Sequence, residues 1–145
     1  MSKFSRILLV YDGTPEARLA LDSCAQLASA LSLPVDVVSV VETAGLNAAS
    51  GGLVSDAAFV QLEHLAREAL HESVTRLQRV GVGAHGYLAV GHIADALSRY
   101  ARMLRSDIVM IGHRSRKRFA SKWEQRPAFA DLADRLPGLT IFIVT

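Results

Sequence analysis

Ser106-Asp107-Ile108-Val109-Met110-Ile111-Gly112, followed by His113-Arg114-Ser115-Arg116-Lys117-Arg118, is the stretch that decides the fold. Its unbroken apolar run, Ile108 to Ile111, suits a strand covered on both faces, as parallel strands are. Gly112 ends the run, where a residue without Cβ lets the backbone turn sharply or meet a ligand closely. A basic loop follows and closes at Gln125-Arg126-Pro127, which reads as a helix start. In an open α/β sheet, the space just past the carboxyl end of a central strand is where ligands sit.

Outward from that stretch the same alternation recurs. Ile7-Leu8-Leu9-Val10 is another buried-type strand, and Asp12-Gly13-Thr14-Pro15 follows it. Thr14 suits the cap of a helix and Pro15 its first position. Ala17, Leu21, Cys24, Leu27, Ala28 and Leu31 recur at helical spacing until Ser32-Leu33-Pro34. Val35 to Val41 is β-branched and predicts a strand. Glu42 to Gly52 is rich in small residues without periodicity and predicts a loop over the carboxyl edge of the sheet. Phe59, Leu62, Ala66, Ala69, Ser73 and Leu77 mark one stripe of a long helix that ends near Gly81. Val82 to Val90 predicts a weaker strand, and Gly91-His92 opens a helix through Ala94, Leu97, Ala101 and Leu104. Pro127 starts a last helix through Phe129, Leu132, Ala133 and Leu136, which Pro137-Gly138 breaks. A final strand runs from Leu139 to Thr145. Strict β-α alternation predicts an α/β fold, with a five-stranded parallel sheet in the order 3-2-1-4-5 and helices on both faces. That order sets Asp12 and Gly112 side by side at the mouth of one crevice.

The 145 residues fit one domain, expected to span 1–145, and 50% of them are hydrophobic against 21% charged, an ordinary globular mix. A net charge of +2 makes no global case for nucleic acid. A lone cysteine, Cys24, excludes an intrachain disulfide; on the apolar stripe of its helix it reads as inert packing. The apolar runs are too short to span a bilayer, and the N-terminus shows no signal-peptide pattern, so no membrane partner and a cytoplasmic location are expected. No Gly-x-Ser-x-Gly elbow and no Cys/His pairing appears, so no catalytic residue is assigned and the chain is not read as an enzyme. His64, Glu68 and His71 share one helix face and could present metal ligands. That face lies opposite the apolar stripe, so it reads as a polar surface and no metal is assigned. The last strand is uncharged and falls at a sheet edge, which predicts a homodimer through Leu139 to Thr145.

Three stretches together resemble the universal stress proteins. Ile7-Leu8-Leu9-Val10-Tyr11-Asp12-Gly13-Thr14 is similar to their opening strand and Asp-x-Ser turn. Gly91-His92-Ile93-Ala94-Asp95-Ala96-Leu97 is similar to the start of their third helix. Arg105-Ser106-Asp107-Ile108-Val109-Met110-Ile111-Gly112 is similar to their Ala-Asp-Leu-Ile-Val-Met-Gly strand. The resemblance implies a Rossmann-like, adenine nucleotide alpha hydrolase-like three-layer α/β/α sandwich. It also implies a cytoplasmic dimer and a regulatory role under stress rather than metabolic catalysis.

Some members of that family bind ATP and others do not. Those that do carry Gly-x-x-Gly, nine further residues, then Gly-Ser or Gly-Thr. Here Gly112 keeps the first glycine, Ser115 stands at the second, and Gln125-Arg126 stand at the pair. Pro127 removes a backbone N–H where a helix start would face a phosphate. Asp12, which faces the nucleotide in ATP-binding relatives, is retained, although an Asp there also forms an Asx turn on its own. The candidate nucleotide crevice therefore comprises Asp12, Val40, Val41, Gly112, His113, Arg114, Ser115, Gln125 and Arg126. The reading is a regulatory or binding protein with a degenerate ATP loop that does not hold ATP in the usual mode, and no cofactor is assigned. One alternative is an ATP-binding switch that uses Asp12, the Val40-Val41 strand end, Gly112 and the basic loop. Another is a binder of a different polyanion from Arg114 to Arg126, where Arg114, Arg116, Lys117, Arg118, Lys122 and Arg126 face only Glu124 in sequence. Nucleic acid is not the expected partner, although Trp123 in that loop could stack on a base.

Overall fold

The computed structural model describes residues 4–42, 56–113 and 128–145. Among these, five strands form one parallel sheet: β1 (Ile7–Val10), β2 (Val35–Val41), β3 (Ala84–Val90), β4 (Ile108–Gly112) and β5 (Thr140–Val144), in the order β3-β2-β1-β4-β5. The helices are α1 (Pro15–Leu31), α2 (Asp56–Arg79), α3 (Ile93–Met103) and α4 (Ala128–Arg135). Order and direction agree with the alternation read from the sequence. Side chains of successive strand residues point to opposite faces, and β1 shows it. Ile7 and Leu9 join Leu21, Val37, Leu77 and Met110 under α1 and α2. Leu8 joins Val38, Leu97, Val109 and Leu132 under α3 and α4. The result is a three-layer α/β/α sandwich.

Local chemistry sets the element ends. Thr14 is extended (φ −67°, ψ 159°), its hydroxyl accepts the Ala17 N–H at 3.3 Å, and Pro15 occupies the first turn of α1. β3 begins at Ala84 rather than at Val82, because the Val82 N–H closes the end of α2 on the Leu77 carbonyl at 3.0 Å and so leaves the ladder. α2 begins at Asp56, nearly a turn before the first residue of its apolar stripe. The expected loop after Glu42 and the expected helix start at Pro127 lie outside the described residues. Among the described residues, no helix is long and apolar enough to cross a membrane.

Two acidic residues pin the amino ends of the central strands. Asp107 accepts the Ser5 N–H at 2.7 Å, the Ser5 hydroxyl at 3.1 Å and the Arg6 N–H at 3.0 Å, tying the chain before β1 to the chain before β4. Burial alone would push its carboxyl up, but the Arg6 and Ser5 donors outweigh that and hold it below the usual carboxylate range. A depressed folded-state pKa means the stabilisation is complete above the ordinary value near 4 and fades as pH falls below it. Asp107→Asn should therefore lower stability at neutral pH, with the gap to the unchanged protein narrowing below about pH 4. Urea titrations across that range check this; a gap that is constant with pH contradicts it. The second residue, Asp36, is fully buried on β2 and takes both the Arg6 Nε and Nη2 at 3.0 Å.

Candidate functional site

β1 leads into α1 on one face of the sheet, whereas β4 leads toward α4 on the other. Neighbouring strands whose chains leave in opposite directions open a crevice at their carboxyl ends. The β1–β4 register ends at Leu9↔Met110; continued, it sets Tyr11 level with Gly112 and Asp12 one residue further on.

Asp12 is exposed, and its Oδ1 accepts both the Thr14 N–H at 3.0 Å and the Thr14 hydroxyl at 2.6 Å. This is the Asx turn, and it leaves Oδ2 without a partner among the described residues. Gly112 has a different reason from the one read in the sequence. Its φ lies outside the left-handed region, and a Cβ there would sit 2.2 Å from the Glu16 carbonyl oxygen. The first turn of α1, which packs against the end of β4, is enough to require a glycine here. His113 donates its backbone N–H to the Val144 carbonyl at 2.8 Å, and its ring stands edge-on to Phe129 with centroids 5.3 Å apart. The crevice wall is thereby joined to β5 and α4.

The Val40-Val41 pair divides. Val41 is buried, and its carbonyl accepts the Gly91 N–H at 2.9 Å, so its backbone serves β3. Ladder alternation turns the Val40 amide and carbonyl the other way, toward β1. There the last rung is the Tyr11 N–H on the Val38 carbonyl at 3.0 Å. Val40 therefore presents a donor and an acceptor at the crevice mouth. Arg114, Ser115, Gln125 and Arg126 lie outside the described residues, as do Trp123 and Pro127.

Two helix starts at this edge already carry an internal acceptor. Thr14 caps α1, and the Glu42 carboxylate accepts the Ile93 N–H at 3.3 Å at the start of α3. Neither offers a vacant amide cradle of the kind that grips phosphate. His92 caps α3 without a side-chain hydrogen bond. On α2, His64 pairs with Glu68 at 3.0 Å, both exposed, and no metal-ligating group of three is found among the described residues. Cys24 is fully buried, and desolvation pushes its thiol up to about 12, which keeps it protonated and unreactive.

Sequence reasoning missed Ser39 and Glu42. The only signal for Ser39 is a hydroxyl inside the run Val35-Asp36-Val37-Val38-Ser39-Val40-Val41. Its hydroxyl donates to the Tyr11 carbonyl at 2.6 Å from a buried position. Glu42 reaches a partner 51 residues away, and no local pattern marks it.

A doubly wound parallel sheet with its crevice between β1 and β4 makes this a Rossmann-like α/β protein. The universal stress protein family model matches residues 3–123, so the chain belongs to that family. No curated protein matches its sequence. Among solved structures, it is similar to a universal stress protein family member from Burkholderia pseudomallei at 22% identity, covering 99% of this chain and 98% of that one, with a TM-score of 0.74. It is similar to a universal stress protein in complex with cAMP at 19% identity, covering 99% and 98% of the two chains, TM-score 0.71. A third, the universal stress protein of Archaeoglobus fulgidus in complex with dAMP, is 18% identical over 100% of both chains, TM-score 0.66. At these identities the likeness establishes the fold alone.

Proposed function

We propose that this chain is a regulatory protein of the stress response that binds an adenosine monophosphate in the crevice between β1 and β4 and does not turn it over. The observation that carries the reading is the open rung at Val40, whose amide and carbonyl face the crevice past the end of β1. A donor beside an acceptor on one residue matches the edge of an adenine. Asp12, with Oδ2 unengaged among the described residues, is the candidate partner for a ribose hydroxyl. Gly112 and His113 form the opposite wall, and Val41 supports Val40 from the β3 side. The two neighbours solved with cAMP and dAMP carry one phosphate each, which supports a monophosphate here.

A triphosphate is the poorer ligand on this reading. Ser115 and Gln125 stand where an amide cradle has glycines, Arg126 stands where it has a small hydroxyl residue, and Pro127 brings no backbone N–H. Arg114 and Arg126 supply charge for a single phosphate through guanidinium N–H groups instead. Calorimetric titration with AMP, cAMP and ATP, with and without magnesium, tests this. We expect AMP or cAMP to bind with Kd of micromolar order and ATP at least about tenfold more weakly. Tighter ATP binding that depends on magnesium would contradict the monophosphate reading, and phosphate release from ATP would contradict the absence of turnover.

We further propose a homodimer paired through β5. The strand is an open edge of the sheet, and its large apolar side chains Phe142 and Ile143 are 39% and 42% exposed. A monomer mass by light scattering counts against it.

A further inference from the structure

β1 and β2 part at one place, and a hydroxyl stands there. The ladder between them is regular from the Ile7 N–H on the Pro34 carbonyl to the Tyr11 N–H on the Val38 carbonyl. Parallel alternation then calls for a further rung, from the Val40 N–H to the Tyr11 carbonyl. Among the described residues that rung is not made; Ser39 Oγ donates to the Tyr11 carbonyl instead, at 2.6 Å. Ser39 is 1% exposed, so no bulk water competes for either group. A carbonyl can accept twice, so the missing rung does not reflect a shortage of lone pairs. Ser39 shares its strand face with Val37, which packs under α1 and α2, so its hydroxyl reaches the Tyr11 oxygen from that face rather than along the line of the ladder.

We propose that Ser39 is a positioning residue for nucleotide recognition: its bond to the Tyr11 carbonyl holds β1 and β2 apart by one rung and keeps the Val40 amide free to donate to a base edge. The inference rests on the binding reading above and deepens it. Without the hydroxyl, the Tyr11 carbonyl would be a buried acceptor with no partner, which is costly, and the nearest remedy is the Val40 amide. The strand would then close by one rung and take its donor away from the ligand. A residue whose only work was packing would leave the exchange of the Val40 amide unchanged when replaced.

The test is hydrogen exchange by NMR on the full chain, with AMP calorimetry beside it. In the unchanged protein without nucleotide, the Val40 amide should exchange at least about 100-fold faster than those of Val38 and Val41, and AMP should slow it. In Ser39→Ala it should be slow without AMP, and the AMP Kd should rise about tenfold, the loss of one hydrogen bond. Ser39→Thr, which keeps the hydroxyl, should retain both fast exchange and affinity. A Val40 amide that is already protected in the unchanged protein overturns the inference, and that measurement needs no variant to fold. AMP binding that is indifferent to Ser39→Ala overturns the role of Ser39 alone. No AMP binding to the unchanged protein overturns the parent reading and this one with it.

Discussion

Gly112→Ala should lower the melting temperature by about ten degrees or more, from a cost of roughly 3 kcal/mol or above. The added Cβ would meet the Glu16 carbonyl oxygen at 2.2 Å, the Glu16 carbonyl carbon at 2.4 Å and the Ala17 amide nitrogen at 2.8 Å. All three are backbone atoms in the first turn of α1, so no rotamer change relieves the clash. β4 or α1 must move, and each is fixed by the core between them, where Met110 and Ile108 meet Ala17, Ala20 and Leu21. Gly138 gives the contrast. Its φ is +88°, but a Cβ there would meet nothing within 4 Å. Gly138→Ala should therefore cost only the strain of a left-handed alanine, on the order of 1 kcal/mol. Thermal unfolding of the two variants side by side checks this; equal shifts would mean that the approach of α1 to β4 does not govern Gly112.

Removing Arg6 should have a comparable effect for an electrostatic reason. Asp36 is fully buried in the central sheet, and the Arg6 guanidinium holds it with Nε and Nη2 at 3.0 Å each. Arg6→Met keeps much of the side-chain length but leaves a buried carboxylate without its cation. Breaking such a pair from one side costs about 3–5 kcal/mol. Replacing both partners, as in Arg6→Met/Asp36→Val, removes the unpaired charge and should recover most of that loss, because β2 is otherwise valine-rich and already core-facing. Urea denaturation of the single and double variants reads the difference. A double variant no more stable than the single one would show that the pair does more than cancel its own charge.

The sheet was legible because its strands are short and mostly apolar, and each but the last is followed by a helical stripe, so alternation pointed to a parallel sheet. Thr14 and Pro15 fixed the start of α1 from chemistry within four residues. What the sequence could not convey is who stands opposite whom. Gly112 looked like a ligand's glycine, since the Glu16 carbonyl that excludes a Cβ lies far off in the chain. Asp36 passed as one residue of a valine-rich strand, and nothing near it in the chain named Arg6. Val40 and Val41 looked equivalent until the ladder assigned one to β1 and the other to β3. Ser39 was a single hydroxyl in an apolar strand, and only its distance to Tyr11 gives it a task. The basic run from Arg114 to Arg126 is plain in the sequence, and it lies outside the described residues.

Residue-resolved NMR titration of the isotope-labelled protein with AMP bears most directly on the crevice. The amide resonances of Val40, Asp12 and His113 should move together with a single affinity, Val40 farthest. Shifts confined to the opposite end of the sheet, in the groove lined by Arg102, Arg105, Leu136 and Leu139, or no shifts at all, would contradict the crevice as the binding site.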